Sequence, residues 1–303
     1  MQFLYFLEKL RLPGLNEFMT TITHLGSETA FLVLALVIFW CLDKKAGYFL
    51  ISIGVSGTTI NQFLKLMFRV PRPWVLAPGF TILEAARADA TGYSFPSGHT
   101  QNAVGTFGAL ALIAPKKWQK ALCVAIAVLV PFSRMYVGVH TPLDVSVGAI
   151  TAIALIFLLK KVVYSENPKA MPALFAVMIL MCLGFLVYAQ CYSFPADVDA
   201  ENLNHGLENA YALFGALLAM TVAYAVDEKK LHFPVKAVWW AQILKVIGGL
   251  MLTLAAKEGL KLPLNALIPD PLPARFIRYF LTVLVAGVLW PMTFPGFSRM
   301  GKK

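Results

Sequence analysis

Nine apolar stretches of about 20 residues follow one another along this chain of 303 residues. A stretch of that length crosses the hydrocarbon core of a bilayer as an α-helix, because a helix satisfies its own backbone hydrogen bonds there. The sequence therefore predicts an all-α fold, a polytopic transmembrane helix bundle of about nine spans. The stretches lie at 28–43, 46–67, 98–115, 121–138, 142–160, 170–190, 208–226, 237–256 and 276–295.

The first 26 residues follow a different pattern. Apolar residues between Phe3 and Leu10 alternate with charged residues, and Pro13-Gly14 interrupts the segment. This alternation is typical of an amphipathic helix that lies in the membrane interface rather than across the bilayer. The sequence predicts such an interfacial helix, and a short first span is the alternative.

The charged residues indicate how the chain is oriented in the membrane. Only 14% of the residues are charged, against roughly 25% in a soluble domain. One set of alternate loops holds 14 lysines and arginines with four acidic residues, whereas the other set holds 11 with 12. Cytoplasmic loops carry the excess of positive charge, so we expect the first set on the cytoplasmic side. The net charge of +10 then reflects membrane orientation, and nucleic acid is not an expected partner.

Cationic and histidine side chains collect at the helix ends of the opposite, extracytoplasmic face. Ionisable groups at membrane depth are costly, so they usually line a functional site. Three permanent cations predict an anionic ligand, and two histidines predict acid, base or nucleophilic chemistry on it. Phosphate is the first candidate. The residues concerned are Lys65, Arg72, Ser97, His99, Arg134, His140 and Asp144.

The first of three segments runs from Lys65 to Pro73. Lys65 lies near a helix end, and Pro71 and Pro73 then force an extended chain. This geometry carries Lys65 and Arg72 off the helix toward a shared point. The alternative is that both cations only extend from a helix end toward the interface.

The second segment runs from Tyr93 to Thr100, contains Pro96-Ser97-Gly98-His99, and is followed by an apolar helix. Free backbone N–H groups at a helix start attract phosphate, and Gly98 lets the backbone approach a ligand closely. Ser97 adds a hydroxyl donor, although it can equally be an ordinary N-cap. His99 in the first turn is not favoured by the helix dipole and needs another explanation.

The third segment joins Arg134 to His140 and Asp144. Thr141 and Pro142 have the pattern of an N-cap and a first helical position. Asp144 can turn back to accept the ring N–H of His140, which fixes the tautomer and strengthens the other nitrogen as a nucleophile. The alternative is a capping Asp beside a buried His.

Together, the three segments resemble the type 2 phosphatidic-acid phosphatase superfamily of integral-membrane lipid phosphatases. The resemblance rests on Lys65 followed after six residues by Arg72-Pro73, on Pro96-Ser97-Gly98-His99, and on Ser133-Arg134 with His140 and Asp144 at the matching spacing. It covers about residues 25–165 and departs from the family pattern at no motif position. It implies a metal-independent phosphatase with a phosphohistidine intermediate.

The resemblance also implies a role for each residue. His140 attacks phosphorus and Asp144 orients it, while His99 protonates the leaving alkoxide and later activates water. The phosphoryl oxygens are held by Lys65, Arg72, Arg134, Ser97 and Gly98. No cofactor is expected, and no Asp/Glu cluster of metal-site type lies near the segments, so no metal is expected either.

The expected organisation has three parts: an interfacial amphipathic helix at 1–26, a lipid-phosphatase catalytic core at 27–165, and additional transmembrane helices of unknown role at 166–303. Residues 74–92 form a long loop over the site that either guides a lipid tail or covers its own backbone. Lys245 falls in the middle of an apolar stretch, where a cation needs a partner.

Several functions remain open from the sequence. The first is hydrolysis of a lipid phosphate or diphosphate, of the phosphatidic acid, phosphatidylglycerol phosphate or polyprenyl diphosphate class. The second is phosphoryl transfer to a lipid or sugar acceptor, and the third is non-enzymatic anion binding or transport. A soluble sugar phosphate is also an open substrate. The expected partners are the lipid substrate and membrane lipids, and the oligomeric state is open. The compact loops favour a bacterial inner membrane.

Overall fold

The computed structural model describes residues 1–301. Within that range the chain is helical and contains no strand, which confirms the all-α prediction. The chain continues from α13 through a π-helical turn at Val285–Leu289 into the last helix. The helices are α1 (Gln2–Lys9), α2 (Pro13–Thr23), α3 (Glu28–Cys41), α4 (Lys44–Phe68), α5 (Pro73–Leu76), α6 (Gly98–Ile113), α7 (Lys117–Tyr136), α8 (Pro142–Val163), α9 (Ala170–Cys191), α10 (Ala200–Val226), α11 (Trp239–Gly259), α12 (Lys261–Leu267), α13 (Pro271–Leu284) and α14 (Phe294–Arg299).

Eight of the nine predicted stretches each coincide with one of these helices, and the ninth, 276–295, runs from α13 through the π-helical turn into α14. Not all of these helices are both long and apolar enough to cross a bilayer alone. Among the described residues, six helical segments are sufficiently long and apolar, namely Lys117–Tyr136, Pro142–Val163, Ala170–Cys191, Ala200–Leu231, Trp239–Leu267 and Pro271–Arg299. A bent pair, Pro13–Gly26 with Glu28–Cys41, makes a seventh. Nine is therefore approximate, because α3 and α6 have only 14 and 16 residues, and α4, although 25 residues long, is not among the six.

The outer surfaces of the long helices are apolar. Ile150, Leu180 and Met251 are 65%, 67% and 68% exposed, and many other large apolar side chains on these helices are exposed as well. Such surfaces are unfavourable in water and suited to lipid tails. The chain is an integral membrane protein.

The N-terminal residues form two helices instead of one. The break falls at Leu10–Leu12, and Pro13 begins α2 instead of ending α1. Proline lacks an N–H and has a fixed φ, so it suits the first helical position. Leu4 and Leu7 of α1 are buried, and Leu4 packs against Phe80. The interfacial placement of residues 1–26 stays a prediction.

The chain forms two compact units. The first unit contains all the predicted site residues, and within it α6 and α2 both pack against α7. It consists of Met1–Leu32, Phe49–Val162 and Phe194–Gly206. The second consists of Val33–Tyr48, Val163–Ser193 and Leu207–Lys303, described as far as Gly301. The predicted three-part division at residues 26 and 165 stays a prediction.

In the second unit, the buried Lys245 and the half-buried Lys44 both have partners. Lys245 on α11 donates to the backbone oxygens of Trp40 and Val235, at 2.8 and 3.0 Å. Lys44 donates to both carboxylate oxygens of Asp227, at 2.9 and 2.7 Å. Paired in this way, the charges avoid the several kcal/mol that an isolated buried ion costs.

We expect Lys44→Ala to destabilise the protein by about 3 kcal/mol, because it leaves the buried Asp227 carboxylate unpaired. Lys45→Ala removes an exposed lysine from the next position and is the matched control. Thermal unfolding of both purified variants in the same detergent checks this. Equal melting temperatures for the two variants would contradict a stabilising Lys44–Asp227 pair.

Candidate active site

The starts of α6 and α8 lie in direct contact. Ser97 caps α6, with its Oγ accepting from the Thr100 N–H at 3.4 Å. The Ser97 N–H donates to the backbone oxygen of Asp144 at 3.0 Å. Gly148, one turn further along α8, faces the Ser97 oxygen so closely that a Cβ there would lie 2.7 Å from it. A side chain on residue 148 would therefore push the second and third segments apart.

Asp144 is held by a reciprocal capping arrangement at the start of α8. Its Oδ2 accepts from the Thr141 N–H at 2.7 Å, and its own N–H donates to Thr141 Oγ1 at 3.3 Å. Ser94 Oγ also donates to Oδ2, at 2.6 Å. His140 Nδ1 lies 3.5 Å from the same oxygen, longer than an ordinary hydrogen bond. The carboxylate is thus fixed beside the ring of His140.

The contacts of His140 indicate its tautomer. Nε2 lies 3.0 Å from Nη1 of Arg72. A guanidinium only donates, so Nε2 carries the lone pair and Nδ1 carries the proton that faces Asp144. Burial, and then the charges of Arg72 and Arg134, lower the pKa of His140 well below its ordinary value. The ring is therefore neutral at pH 7, as a nucleophile must be.

Arg72 and Lys65 converge on three consecutive backbone oxygens. Arg72 donates to Gly92 through Nε at 3.0 Å and to Thr91 through Nη2 at 2.6 Å, while Lys65 Nζ donates to Tyr93. Burial lowers the pKa of Arg72 to about 10, which leaves it charged at pH 7. The first segment thus brings both cations to one place and orders the loop before α6.

Arg134 uses only part of its hydrogen-bonding capacity within residues 1–301. The residue is wholly buried, and its Nη1 donates to Thr23 Oγ1 at 2.9 Å. Its Nε and Nη2 have no protein partner among residues 1–301, and the same is true of His99 Nε2. Buried donors without partners are costly, so these atoms favour an anionic ligand.

The structure brings the predicted residues into one electrostatic neighbourhood. The charges of Lys65, Arg72, Arg134 and His99 all act on His140. Gly98 is the first residue of α6, and a Cβ there would have only Asn61 Oδ1 nearby, at 3.7 Å. A ligand can therefore approach this backbone closely.

Three contributors to the site were not found from the sequence. Ser94 lies within the second segment, but the sequence assigned it no role, and its hydrogen bond to Asp144 is seen only in the structure. The carbonyl groups of 91–93 and the hydroxyl of Thr23 gave no signal, because a backbone oxygen or a single threonine has no distinctive pattern. Each is identified only by the cation it accepts from.

The loop at 74–92 folds inward. Its apolar residues Phe80, Ile82, Ala86 and Ala90 are buried, and Ala86 and Ala90 share a cluster with Met19 of α2. Arg11 donates to the backbone oxygen of residue 81 at 2.9 Å. These contacts favour a packed cover over the site, not a loop that presents its apolar residues to a lipid tail.

Two family models match the chain. One, described as the PAP2 superfamily, matches residues 45–168, and the other, described as PAP2 superfamily phosphatase, transmembrane extension, matches residues 211–302. The second match reaches beyond the resemblance identified from the sequence, which ended near residue 165. The two matches together cover most of the chain after residue 44, and residues 169–210 lie between them.

Curated relatives carry names of lipid phosphatases. Phosphatidylglycerophosphatase B of Bacillus subtilis is 34% identical over 164 residues, which are 50% of this chain and 76% of that protein. Undecaprenyl-diphosphatase of Sulfolobus acidocaldarius is 33% identical over 139 residues, 46% and 66% of the two chains. Sphingosine-1-phosphate phosphatase 1 of Rattus norvegicus is 25% identical over 263 residues, 79% and 58%. No solved structure matches the chain.

We expect Gly148→Ala to lower kcat/KM at least about tenfold, because the new methyl group displaces Ser97 and the start of α6 from Asp144. Gly184→Ala is the matched control, since Gly184 on α9 has no atom within 4 Å of its Cβ position. Phosphate release by the two variants is compared at equal protein. Wild-type activity in Gly148→Ala would show that the contact between α6 and α8 does not position the site.

We expect Arg72→Gln to move the acid limb of the kcat/KM profile to higher pH. The charge 3.0 Å from Nε2 lowers the pKa of His140, so removing it raises that pKa and lets the ring protonate at higher pH. The profile is measured from about pH 5 to 9. Arg87→Gln, which neutralises an exposed arginine, is the control. An acid limb that stays in place or moves to lower pH would contradict the assignment.

Proposed function

The chain belongs to the PAP2 superfamily, and on this premise we propose that it releases phosphate from a membrane lipid phosphate or diphosphate through a covalent intermediate on His140. One observation carries the proposal. His140 is neutral, with an unprotonated lone pair on Nε2, and the charge of the buried Arg134 acts on it. The Nε and Nη2 of Arg134 have no partner among the described residues. Phosphoryl transfer needs this combination of a placed nucleophile and cationic donors.

In the first step, Nε2 of His140 attacks phosphorus and the bond from phosphorus to the leaving oxygen breaks. That oxygen takes a proton from the imidazolium form of His99, whose Nε2 is a buried atom without a protein partner in residues 1–301. Burial and the neighbouring cations lower the pKa of His99, so the negative charge of the bound phosphoryl group is what keeps this ring protonated for the step. The ring of His140 becomes cationic as it accepts the phosphoryl group. Asp144, 3.5 Å from Nδ1, stabilises that charge and holds the tautomer.

In the second step, a water molecule loses a proton to His99 and attacks the same phosphorus. The bond between Nε2 and phosphorus breaks, which returns the lone pair to His140 and releases inorganic phosphate. His99 regains the proton that it lost in the first step, so the enzyme returns to its starting state.

Arg72 has a second role in this scheme. Its Nη1 donates to the same Nε2 lone pair that must attack phosphorus. Without substrate, this hydrogen bond therefore orients His140 but occupies its lone pair. The oxygens of an incoming phosphoryl group compete for the guanidinium and release the lone pair. Charge-assisted hydrogen bonds to phosphate are stronger than one to a neutral ring, so the exchange is favourable.

A lipid substrate is supported by the relatives and by the apolar surface of the protein. The relatives named above are phosphatases of phosphatidylglycerophosphate, undecaprenyl diphosphate and sphingosine 1-phosphate. We place the protein in a bacterial inner membrane with the site on the extracytoplasmic side. The excess of lysine and arginine in the opposite loops supports this orientation.

The test is phosphate release by the detergent-purified protein in EDTA. The panel is phosphatidic acid, phosphatidylglycerol phosphate, sphingosine 1-phosphate, undecaprenyl diphosphate and, as a soluble comparison, glucose 6-phosphate. We expect release from at least one lipid, and a loss of at least about 1000-fold in His140→Ala. His205→Ala, an exposed histidine paired with Glu201, is the matched control.

The covalent intermediate is tested separately with substrate labelled in the phosphoryl group and a quench in base, where a phosphohistidine survives. Label on wild-type protein that disappears in His140→Ala supports the nucleophile. Label without release of phosphate would instead indicate transfer to an acceptor. Neither label nor release from any substrate would indicate a protein that only binds anions.

A further inference from the structure

The end of α2 contacts the candidate site, although α2 precedes the residues that the family model matches. Thr23, the last residue of α2, is wholly buried. Its Oγ1 accepts from Arg134 Nη1 at 2.9 Å, across 111 positions in the sequence. The family match begins at residue 45, so the resemblance itself assigns nothing to this contact.

The contact is held by further bonds between the N-terminal residues and the end of α7. Arg11 Nε donates to the backbone oxygen of Tyr136 at 3.1 Å. The Tyr136 hydroxyl donates to Asn16 Oδ1 at 2.8 Å. Tyr136 lies two residues after Arg134, so the N-terminal helices grip the part of α7 that carries the guanidinium. This makes the position of Thr23 a fixed feature of the unit.

The contact is important because Thr23 accepts from Nη1 of Arg134 and not from Nε or Nη2. A guanidinium is planar, and its Nε–H and Nη2–H point from one edge as a parallel pair that fits two oxygens of a phosphoryl group. Thr23 accepts from the remaining nitrogen, Nη1. The edge formed by Nε and Nη2 is left without a partner among residues 1–301.

We propose that Thr23 is a positioning residue that holds Arg134 with its two-donor edge toward the phosphoryl group. The inference deepens the proposed function and rests on Arg134 acting as a phosphate ligand. Without the Thr23 oxygen, Nη1 of Arg134 loses its partner as well. The guanidinium then rotates to find another acceptor for this N–H. Phosphate recognition then weakens although no residue that touches the substrate has changed.

The variants separate the hydroxyl group from the shape of the side chain. Thr23→Val keeps the branched shape and removes the acceptor, whereas Thr23→Ser keeps the acceptor. Thr21→Val removes a hydroxyl from an exposed position of the same helix, where Oγ1 donates only to the Glu17 backbone oxygen. Melting temperatures in detergent identify any variant that fails to fold.

We expect Thr23→Val to lower kcat/KM by roughly 10- to 100-fold, the range for losing a hydrogen bond to a charged group. Most of the loss is expected in KM, because Arg134 binds phosphate. The pH profile is expected to stay unchanged, because the guanidinium keeps its charge near His140 when it rotates. Thr23→Ser restores kcat/KM to within about threefold of wild type, and Thr21→Val matches wild type. Wild-type kinetics in a folded Thr23→Val, or no rescue by Thr23→Ser, would overturn the proposal.

A binding measurement distinguishes failure of this inference from failure of the proposed function. Titration with inorganic phosphate reports the Arg134 edge without turnover. If the wild type hydrolyses no lipid but Thr23→Val still binds phosphate at least about tenfold more weakly, the positioning role stands and hydrolysis fails. If the wild type hydrolyses a lipid while Thr23→Val binds phosphate equally well, the positioning role fails and hydrolysis stands.

Discussion

Burying three cations in a membrane protein is the constraint on which the candidate site depends. Lys65, Arg72 and Arg134 are all removed from water, and each such ion costs several kcal/mol unless hydrogen bonds replace its hydration. The protein supplies most of that replacement with oxygens that carry no charge. Three consecutive backbone oxygens serve the first two cations, and a threonine hydroxyl serves the third. Neutral acceptors leave the net positive charge of the site intact, which is what attracts a phosphoryl group.

The same cations set the state of His140. A histidine surrounded by positive charge and excluded from water has a lowered pKa, so it is a neutral base under conditions where an exposed histidine is partly protonated. Asp144 does not offset this fully, because its Oδ2 already accepts from Ser94 and Thr141 and lies 3.5 Å from the ring. The carboxylate therefore orients the ring at rest and has most to contribute once the ring becomes cationic.

The second unit meets the same requirement by different means. Lys44 is paired with a carboxylate, while Lys245 is satisfied by two backbone oxygens and lies 4.1 Å from the centre of the Phe294 ring. None of the predicted site residues belongs to this unit. The family model of the transmembrane extension matches residues 211–302 of this unit, and the buried Lys245 within that range has structural partners.

The helices and the local geometry of the three segments could be predicted from residues that are close together in the chain. Apolar length predicted the nine helical stretches, and capping residues predicted the starts of α6 and α8, because both depend on neighbours a few positions apart. The spacing of His140 and Asp144 likewise placed them within one turn. The break in the N-terminal helix was misplaced: the sequence indicated Pro13-Gly14, whereas the break lies at Leu10–Leu12. A proline can end one helix or begin the next, and here Pro13 begins α2.

The hydrogen-bond partners of each buried charge could be identified only from the folded arrangement of the helices. Thr23 and Arg134 are 111 positions apart, and no local pattern connects a lone threonine to a distant arginine. The tautomer of His140 likewise follows from a contact with Arg72, 68 positions away. The physical reason is that hydrogen-bond partners of a buried charge are selected by packing of whole helices, whereas helices and caps are selected by residues adjacent in the chain.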